Sequence, residues 1–331
     1  MVHLLGKNWP CEEGLNQLVQ ASQIAHQLLD SINTVIVGKE RAVELSLIAL
    51  IAQGHLLIED VPGLGKTTLA KAIAISSGCG FKRIQFVPDL LPSDITGVNI
   101  YNQKTGDFEF RQGPLMTQLV LADEINRAPS KTQAALLESM EEGKVTVDGV
   151  THDLPRPFFI IATLNPVEYH GIFPLPEAEL DRFMVRVTLG YATFEEEMDI
   201  IGRQEKQNPI DEVTAVTSPE KLIFVQEEAK GIFVDPLVRQ YIVSLTHASR
   251  QHQDIVLGAS HRGSLSLFRA SQALALIRGR EFVVPDDVKE LAVAVLAHRL
   301  IITPEAKARG TDGSRVVTSM IDNLTVPGAH A

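Results

Sequence analysis

The stretch His55–Lys71, HLLIEDVPGLGKTTLAK, constrains the fold of this chain more than any other. Leu56, Leu57 and Ile58 read as a short buried strand. Pro62, Gly63, Leu64 and Gly65 then make a loop, and Lys66, Thr67 and Thr68 open an amphipathic helix. Such a loop leaves successive backbone N–H groups unpaired and converging, beside the positive end of a helix macrodipole, so it is an anion cradle. Lys66 adds a point charge for the β- and γ-phosphates, and the Thr67 hydroxyl is a hard oxygen donor suited to Mg²⁺. One position departs from the pattern G-x-x-x-x-G-K-[ST]: Asp60 stands where the first glycine belongs. Asp enters left-handed backbone less readily than Gly but more readily than most residues, so the loop should accommodate it.

Composition bounds the rest. The 331 residues leave room for two domains of ordinary size, and 45% hydrophobic with 21% charged residues describes a folded, globular chain. A net charge of −11 argues against a protein that coats a phosphate backbone, but does not exclude a motor with a local basic loop. Cys11 and Cys79 lie far apart without metal-type spacing, so neither a disulfide framework nor a zinc site is indicated, and a reducing, cytoplasmic setting is expected. The N-terminus has no apolar signal segment. The most apolar run, Leu45–Ile51, is interrupted by Ser46 and is shorter than the roughly 20 residues a membrane span needs. The ten histidines include no pair at helical ligand spacing, so no protein-bound transition metal is expected.

In chain order, an apolar stripe of period 3.6 predicts a helix over 12–34, and Glu40–Ala52 predicts a second, buried one. Val35, Ile36, Val37 and Gly38 form an apolar turn between them. Beyond the phosphate loop, Lys82–Phe86 is a strand candidate, broken by Pro88 and Pro92. Residues 97–113 read as a hairpin, as do Lys144–Val147 and Val150–Asp153 around Asp148-Gly149. An inserted hairpin is a candidate working loop. Buried strands lead into Asp123-Glu124 and, over Phe158–Thr163, into Asn165-Pro166. After Phe183–Leu189 the texture becomes helix after helix, which predicts a boundary near Gly190: an α/β nucleotide domain over 1–190 and a helical domain over 191–331. The segment 303–331 predicts a short helix near Ser314–Leu324 at best.

Strand, loop and helix, then strand-Asp-Glu, then strand-Asn are parts of one nucleotide site in the order a doubly wound parallel sheet presents them. Asp123-Glu124 alone could be capping carboxylates, and Asn165 a turn residue before Pro166. Beside a phosphate loop they take roles: Asp123 in the Mg²⁺ shell, Glu124 polarising the attacking water, and the Asn165 amide orienting that water.

Five blocks carry a resemblance. They are IQFVPDLLPSDITG (Ile84–Gly97), FRQGPL (Phe110–Leu115), VLADEINRAPSKTQAALLESMEEGKVTVDG (Val120–Gly149), ATLNPVEYHGIFPLPEAELDRF (Ala162–Phe183) and GASHRGSLSLFRASQALALIRGREFVVPDDVK (Gly258–Lys289). With the phosphate loop, they resemble the MoxR family of AAA+ ATPases in the family's order. The resemblance implies an αβα ATPase core followed by a small helical lid, and Mg²⁺-dependent ATP hydrolysis. It places Arg182 as an arginine finger reaching a neighbouring subunit's γ-phosphate, with a surface pair to Glu177 or Glu179 as the plainer reading. Arg262 matches the sensor-2 arginine that contacts phosphate in cis from the lid, although His261 stands where the family commonly has Pro. Val37 and Gly38 match the adenine-side turn, and Arg127 is read as coupling the acidic pair to a neighbour or as a structural salt bridge. The two hairpins become the helix-2 insert and the pre-sensor-1 hairpin, near a central pore.

The resemblance further implies a homo-oligomeric, hexameric ring with chaperone-like remodelling of a client complex, often for metal or cofactor insertion. Partners with a von Willebrand factor A domain are typical of the family. No stable nucleic-acid partner and no transmembrane segment are expected. The alternatives are a nucleic-acid-dependent motor, disfavoured by the charge of −11, and a nucleotide-gated scaffold with little turnover.

Overall fold

Within each central strand, successive apolar residues go to opposite faces of one sheet, as the period of two requires. Leu56 and Ile58, Leu119 and Leu121, and Phe159 and Ile161 belong to one apolar cluster. Leu57, Val120, Ala122, Ile160 and Ala162 belong to another on the opposite face. Strands buried on both faces are the mark of a parallel sheet covered by helices. A computed structural model of the chain describes residues 12–166, 173–205 and 208–328. Cys11 and the stretch 167–172, inside the Ala162–Phe183 block, lie outside them.

The sheet contains β1 (Leu56–Glu59), β2 (Phe81–Gln85), β3 (Leu119–Asp123), β4 (Phe159–Leu164) and β5 (Val185–Val187). All neighbours are parallel and the order is β2-β3-β4-β1-β5. One face is covered by α1 (Glu12–Asn33), α2 (Glu40–Ile51) and α3 (Lys66–Ser77), the other by α4 (Ser130–Glu142). The two hairpins, Gly97–Asn102 with Asp107–Gln112 and Lys144–Val147 with Val150–Asp153, stand off the sheet as separate ribbons. They touch each other: Asn99 Nδ2 donates to Asp148 Oδ2 at 2.9 Å, and the Phe110 and His152 rings stack at 4.0 Å.

The chain turns out of the sheet at Gly190, where φ is 65°. Beyond it come α5 (Phe194–Gln204), α6 (Pro219–Gly231), α7 (Pro236–Gln251), α8 (His261–Ile277), α9 (Pro285–Leu296) and α10 (Gly313–Asn323). Thr193, Ser218, Asp235, Ser260 and Asp312 each cap one of these helices, a side-chain oxygen accepting from a first-turn N–H. α8 starts at His261 because Ser260 supplies its cap, and Gly263 lets the first turn approach Leu296 and Arg299 closely. Two further elements lie outside the sequence expectations: a ribbon of Ile255–Leu257 with Ile301–Ile302, and a short helix Pro304–Ala308 capped by Thr303. The N-terminal helices α1 and α2 pack on α6 and α8, so one apolar cluster runs from the sheet into the helical half. Among the described residues no helix is long and apolar enough to cross a membrane.

Candidate functional site

The carboxyl ends of β1, β3 and β4 lie side by side, and this is where open α/β sheets bind ligands. The phosphate loop leaves the end of β1 with Gly63 at φ 89° and Gly65 at φ 86°, conformations a residue with a Cβ rarely adopts. Gly65 directly precedes α3, so the N–H groups of Lys66 and Thr67 open the helix. Lys66 is buried, and its Nζ donates to Asp60 O at 2.5 Å and Val61 O at 3.2 Å. Burial lowers its pKa from the ordinary lysine range, against the pull of Asp123, Asp60 and Glu124.

Asp60 is not in the left-handed region, so glycine's freedom is not what this position uses. Its Oδ2 accepts from the backbone N–H of Leu189 at 2.6 Å and of Gly190 at 2.8 Å, and its Oδ1 from Val61 N at 3.2 Å. The departure from the loop pattern is thus a buried anchor. It ties the phosphate loop to the point where the chain leaves the sheet.

Asp123 ends β3. Its Oδ1 accepts from Thr163 Oγ1 at 2.6 Å, and its Oδ2 accepts from Arg83 Nε at 3.0 Å and Nη2 at 2.7 Å. Glu124 sits in left-handed backbone at φ 55°, fixed by its N–H donating to the same Thr163 hydroxyl at 2.8 Å. Its Oε2 accepts from Gln85 Nε2 at 2.8 Å and Arg127 Nη1 at 3.0 Å. Gln85 in turn accepts from Arg83 at 2.7 Å, so one network spans both carboxylates. Asn165, buried, follows β4, whose last residue Leu164 accepts from Asp60 N at 3.1 Å, so it lies at the strand end where the phosphate loop begins.

Thr67 and Thr68 also line a cavity of about 150 Å³ closed on its far side by α5. Val35, Val37, Ile200 and Ile210 form the apolar part of a mixed lining whose polar part includes Lys71, Arg203, Gln204 and Asn208. Gly38, at φ 67°, lets Glu196 of α5 lie against its Cα, where a Cβ would fall 1.9 Å from Glu196 Oε1. Lys39 Nζ donates to Tyr191 O at 3.0 Å and reaches Glu196 Oε2 at 3.5 Å.

The two remaining arginines are elsewhere. Arg182 Nη1 lies 3.4 Å from Glu141 Oε2, and Arg262 Nη2 donates to Glu141 Oε1. Both line a cavity of about 410 Å³ together with His55 and Met184, residues that precede β1 and β5. That is the amino end of the sheet. A four-residue strand separates it from the phosphate loop by about 13 Å. The neighbours of Arg182 are fixed by Arg299, which is buried: its Nε is 3.2 Å from Asp181 Oδ1 and its Nη1 donates to Phe183 O at 2.8 Å. Burial lowers the Arg299 pKa to about 10, against the pull of Asp181.

The model of the ATPase family associated with various cellular activities (AAA) matches residues 55–185, and that of the AAA lid domain matches 247–320. Chaperone MoxR1 of Mycobacterium tuberculosis is 40% identical over 309 residues, covering 91% of this chain and 81% of its own. The chain belongs to the MoxR family of AAA+ ATPases. YeaC of Bacillus subtilis is 52% identical over 299 residues, covering 90% of this chain and 93% of its own. The crystal structure of an ATPase candidate from Cytophaga hutchinsonii superposes with a TM-score of 0.89 at 35% identity, covering 95% of this chain and 98% of that one. This MoxR-family chain therefore has the α/β AAA+ fold with a helical lid, binds nucleotide and hydrolyses ATP.

Set against the sequence expectations, the structure gathers Lys66, Thr67, Asp123, Glu124 and Asn165 at one end of the sheet, with Val37 and Thr68 lining the adjoining cavity and Gly38 next to Val37 in the chain. Arg182 makes an ion pair with Glu141, and its charge also pulls on Glu179. Arg262 stands beside Arg182 at the amino end of the sheet, bonded to the same Glu141. Arg127 makes the ion pair with Glu124. Sequence reasoning missed Arg83, Gln85 and Thr163. Arg83 and Gln85, two apart on β2, share a face next to the end of β3, a period-two signal that was available.

Proposed function

We propose that this MoxR-type ATPase works as a ring in which each nucleotide site is completed by two copies. The observation that carries the reading is the pairing of Arg182 with Arg262 at the amino end of the sheet, about 13 Å of strand from the phosphate loop. A second copy packed against that loop would bring both arginines to it; one chain alone would not.

In this reading the loop N–H groups and Lys66 bind the β- and γ-phosphates, and Val37 and Gly38 border the base. Thr67 and Asp123 offer hard oxygen donors that fit Mg²⁺, which typically takes one or two carboxylates and the substrate's phosphates rather than an all-protein cage. Asp123 already carries a full cationic partner in Arg83, so its site is built for positive charge. When bound, Mg²⁺ neutralises charge on the β/γ-oxygens. Glu124 takes a proton from the attacking water, and its backbone, held by Thr163, points the carboxylate past the strand end. Gln85 and Arg127 hold that carboxylate, so it must leave them to act. Asn165 orients the water, and Arg182 from the next copy stabilises charge in the transition state, an effect that can reach about 10³–10⁵ in turnover.

The work is chaperone-like remodelling of a partner complex in the cytoplasm, including metal or cofactor insertion, with a von Willebrand factor A domain protein as the partner type. The client-facing parts are the two hairpins, which expose Ile100, Tyr101, Phe108 and Val150 on a joined surface. The test is Glu124→Gln. It should keep ATP binding and lose nearly all turnover; turnover equal to the parent would overturn the assignment of Glu124.

A further inference from the structure

We propose that Glu141 is a counter-ion that competes with the phosphate for the arginine pair. Its carboxylate holds Arg182 and Arg262 together in the lone subunit and gives them up to the γ-phosphate bound by the next one. The inference rests on the shared-site reading above and adds a residue that reading does not require.

Three observations converge on Glu141. First, the two cations it binds come from distant segments: Arg182 from the turn before β5, Arg262 from the first turn of α8. The cluster is therefore a product of the tertiary fold and not a local helix pair. Second, Glu141 lies in the last turn of α4, which carries no basic residue of its own. A carboxylate at the negative end of a helix dipole is disfavoured unless cations reach it from outside. Third, the cavity is strongly cationic. Lys230 and Arg269 line it beside Arg182 and Arg262, while Asp181, the other carboxylate there, is engaged by Arg299 and by Ser260 Oγ at 2.8 Å. Glu141 is thus the counter-charge common to both arginines, and two guanidiniums this close would repel without it.

Glu141 and the terminal phosphate present the same chemistry, an oxyanion with several acceptor oxygens facing two guanidiniums, and the phosphate carries more charge. Exposure decides which pair is built to exchange. The Glu141 side chain is 45% exposed, and those of Arg182 and Arg262 are 28% and 38%. Ion pairs this open hold weakly and release readily. Arg299, next to them, is 1% exposed and locked to Asp181, as a fixed support should be.

The experiment is ATP-dependent assembly in the Glu124→Gln background, which binds nucleotide without consuming it, followed by sedimentation against subunit concentration. Adding Glu141→Gln removes the charge at constant size. The expected result is an assembly midpoint lowered roughly two- to tenfold, the scale of one or two partly exposed ion pairs. Weaker or unchanged assembly in Glu141→Gln, with Arg182→Ala still impairing it, would overturn the role of Glu141 and leave the shared site standing. A purely structural Glu141 gives that result, since losing a support cannot tighten assembly. If Arg182→Ala instead assembles like the Glu124→Gln parent and, with Glu124 intact, turns over ATP like the unmodified protein, the shared-site reading fails, and this inference with it.

Discussion

His55 should make this protein acid-sensitive through a single buried imidazole at the start of β1. Its Nε2–H donates to Met140 O at 3.0 Å and its Nδ1 accepts from Ile160 N at 3.1 Å, so the neutral tautomer satisfies both partners and joins β1, β4 and α4. Burial, only partly offset by the Met140 carbonyl, lowers its pKa from 6.5 to about 4. Between those values the unfolded chain binds the proton and the folded chain does not. Stability is therefore complete above pH 6.5 and falls as pH drops towards 4. Linkage puts the loss between pH 7 and pH 5 at about 2 kcal/mol, a sizeable share of the ~5–15 kcal/mol typical of folded proteins. Urea unfolding of nucleotide-free protein at the two pH values, for the parent and for His55→Gln, measures it. The variant will be less stable at both, so the slopes decide: the parent should lose about 2 kcal/mol more than the variant on acidification. Parallel slopes would refute the assignment. His298, also pushed well below its ordinary pKa by burial and then by Arg299, adds the same sign to both proteins and cancels.

Asp60→Ala removes the acceptor for Leu189 N and Gly190 N and should cost about 2–4 kcal/mol, at ~1.5–3 kcal/mol per charge-assisted bond with partial replacement by water. It should also weaken ATP binding, whereas Asp60→Asn, which keeps an acceptor, should retain most of both; thermal melts with nucleotide titration separate the two. Gly38→Ala places a methyl against Glu196 at a strained φ, so the nucleotide Kd should rise, by roughly tenfold for about 1–2 kcal/mol of strain. Unaltered binding of a fluorescent nucleotide by Gly38→Ala would contradict a role for this turn.

The parts of the site that were legible in the sequence are those written as local motifs. Lys66 and Thr67 follow their strand by a few residues, and Asp123-Glu124 and Asn165 end strands whose apolar runs announce them. What stayed illegible is long-range. Glu141 bridging Arg182 and Arg262 needs the packing of α4, the β5 turn and α8, and no spacing in the chain encodes it. The same holds for Asp60, which reads as a flaw in a glycine pattern until Leu189 and Gly190 are seen to donate to it. Gly263 looks like a helix breaker, but its missing side chain serves close packing within a helix already capped by Ser260.

The central claim is that one copy supplies the phosphate loop and another the arginines. Mixing two inactive proteins tests it most directly: Lys66→Ala, which lacks a working loop but keeps Arg182 and Arg262, and Arg182→Ala, which keeps the loop but lacks the finger. Each should be nearly inactive alone, and the mixture should regain ATPase activity, because Lys66→Ala subunits complete the sites of their Arg182→Ala neighbours. No recovery in mixed assemblies, or full activity of Arg182→Ala by itself, would contradict the account.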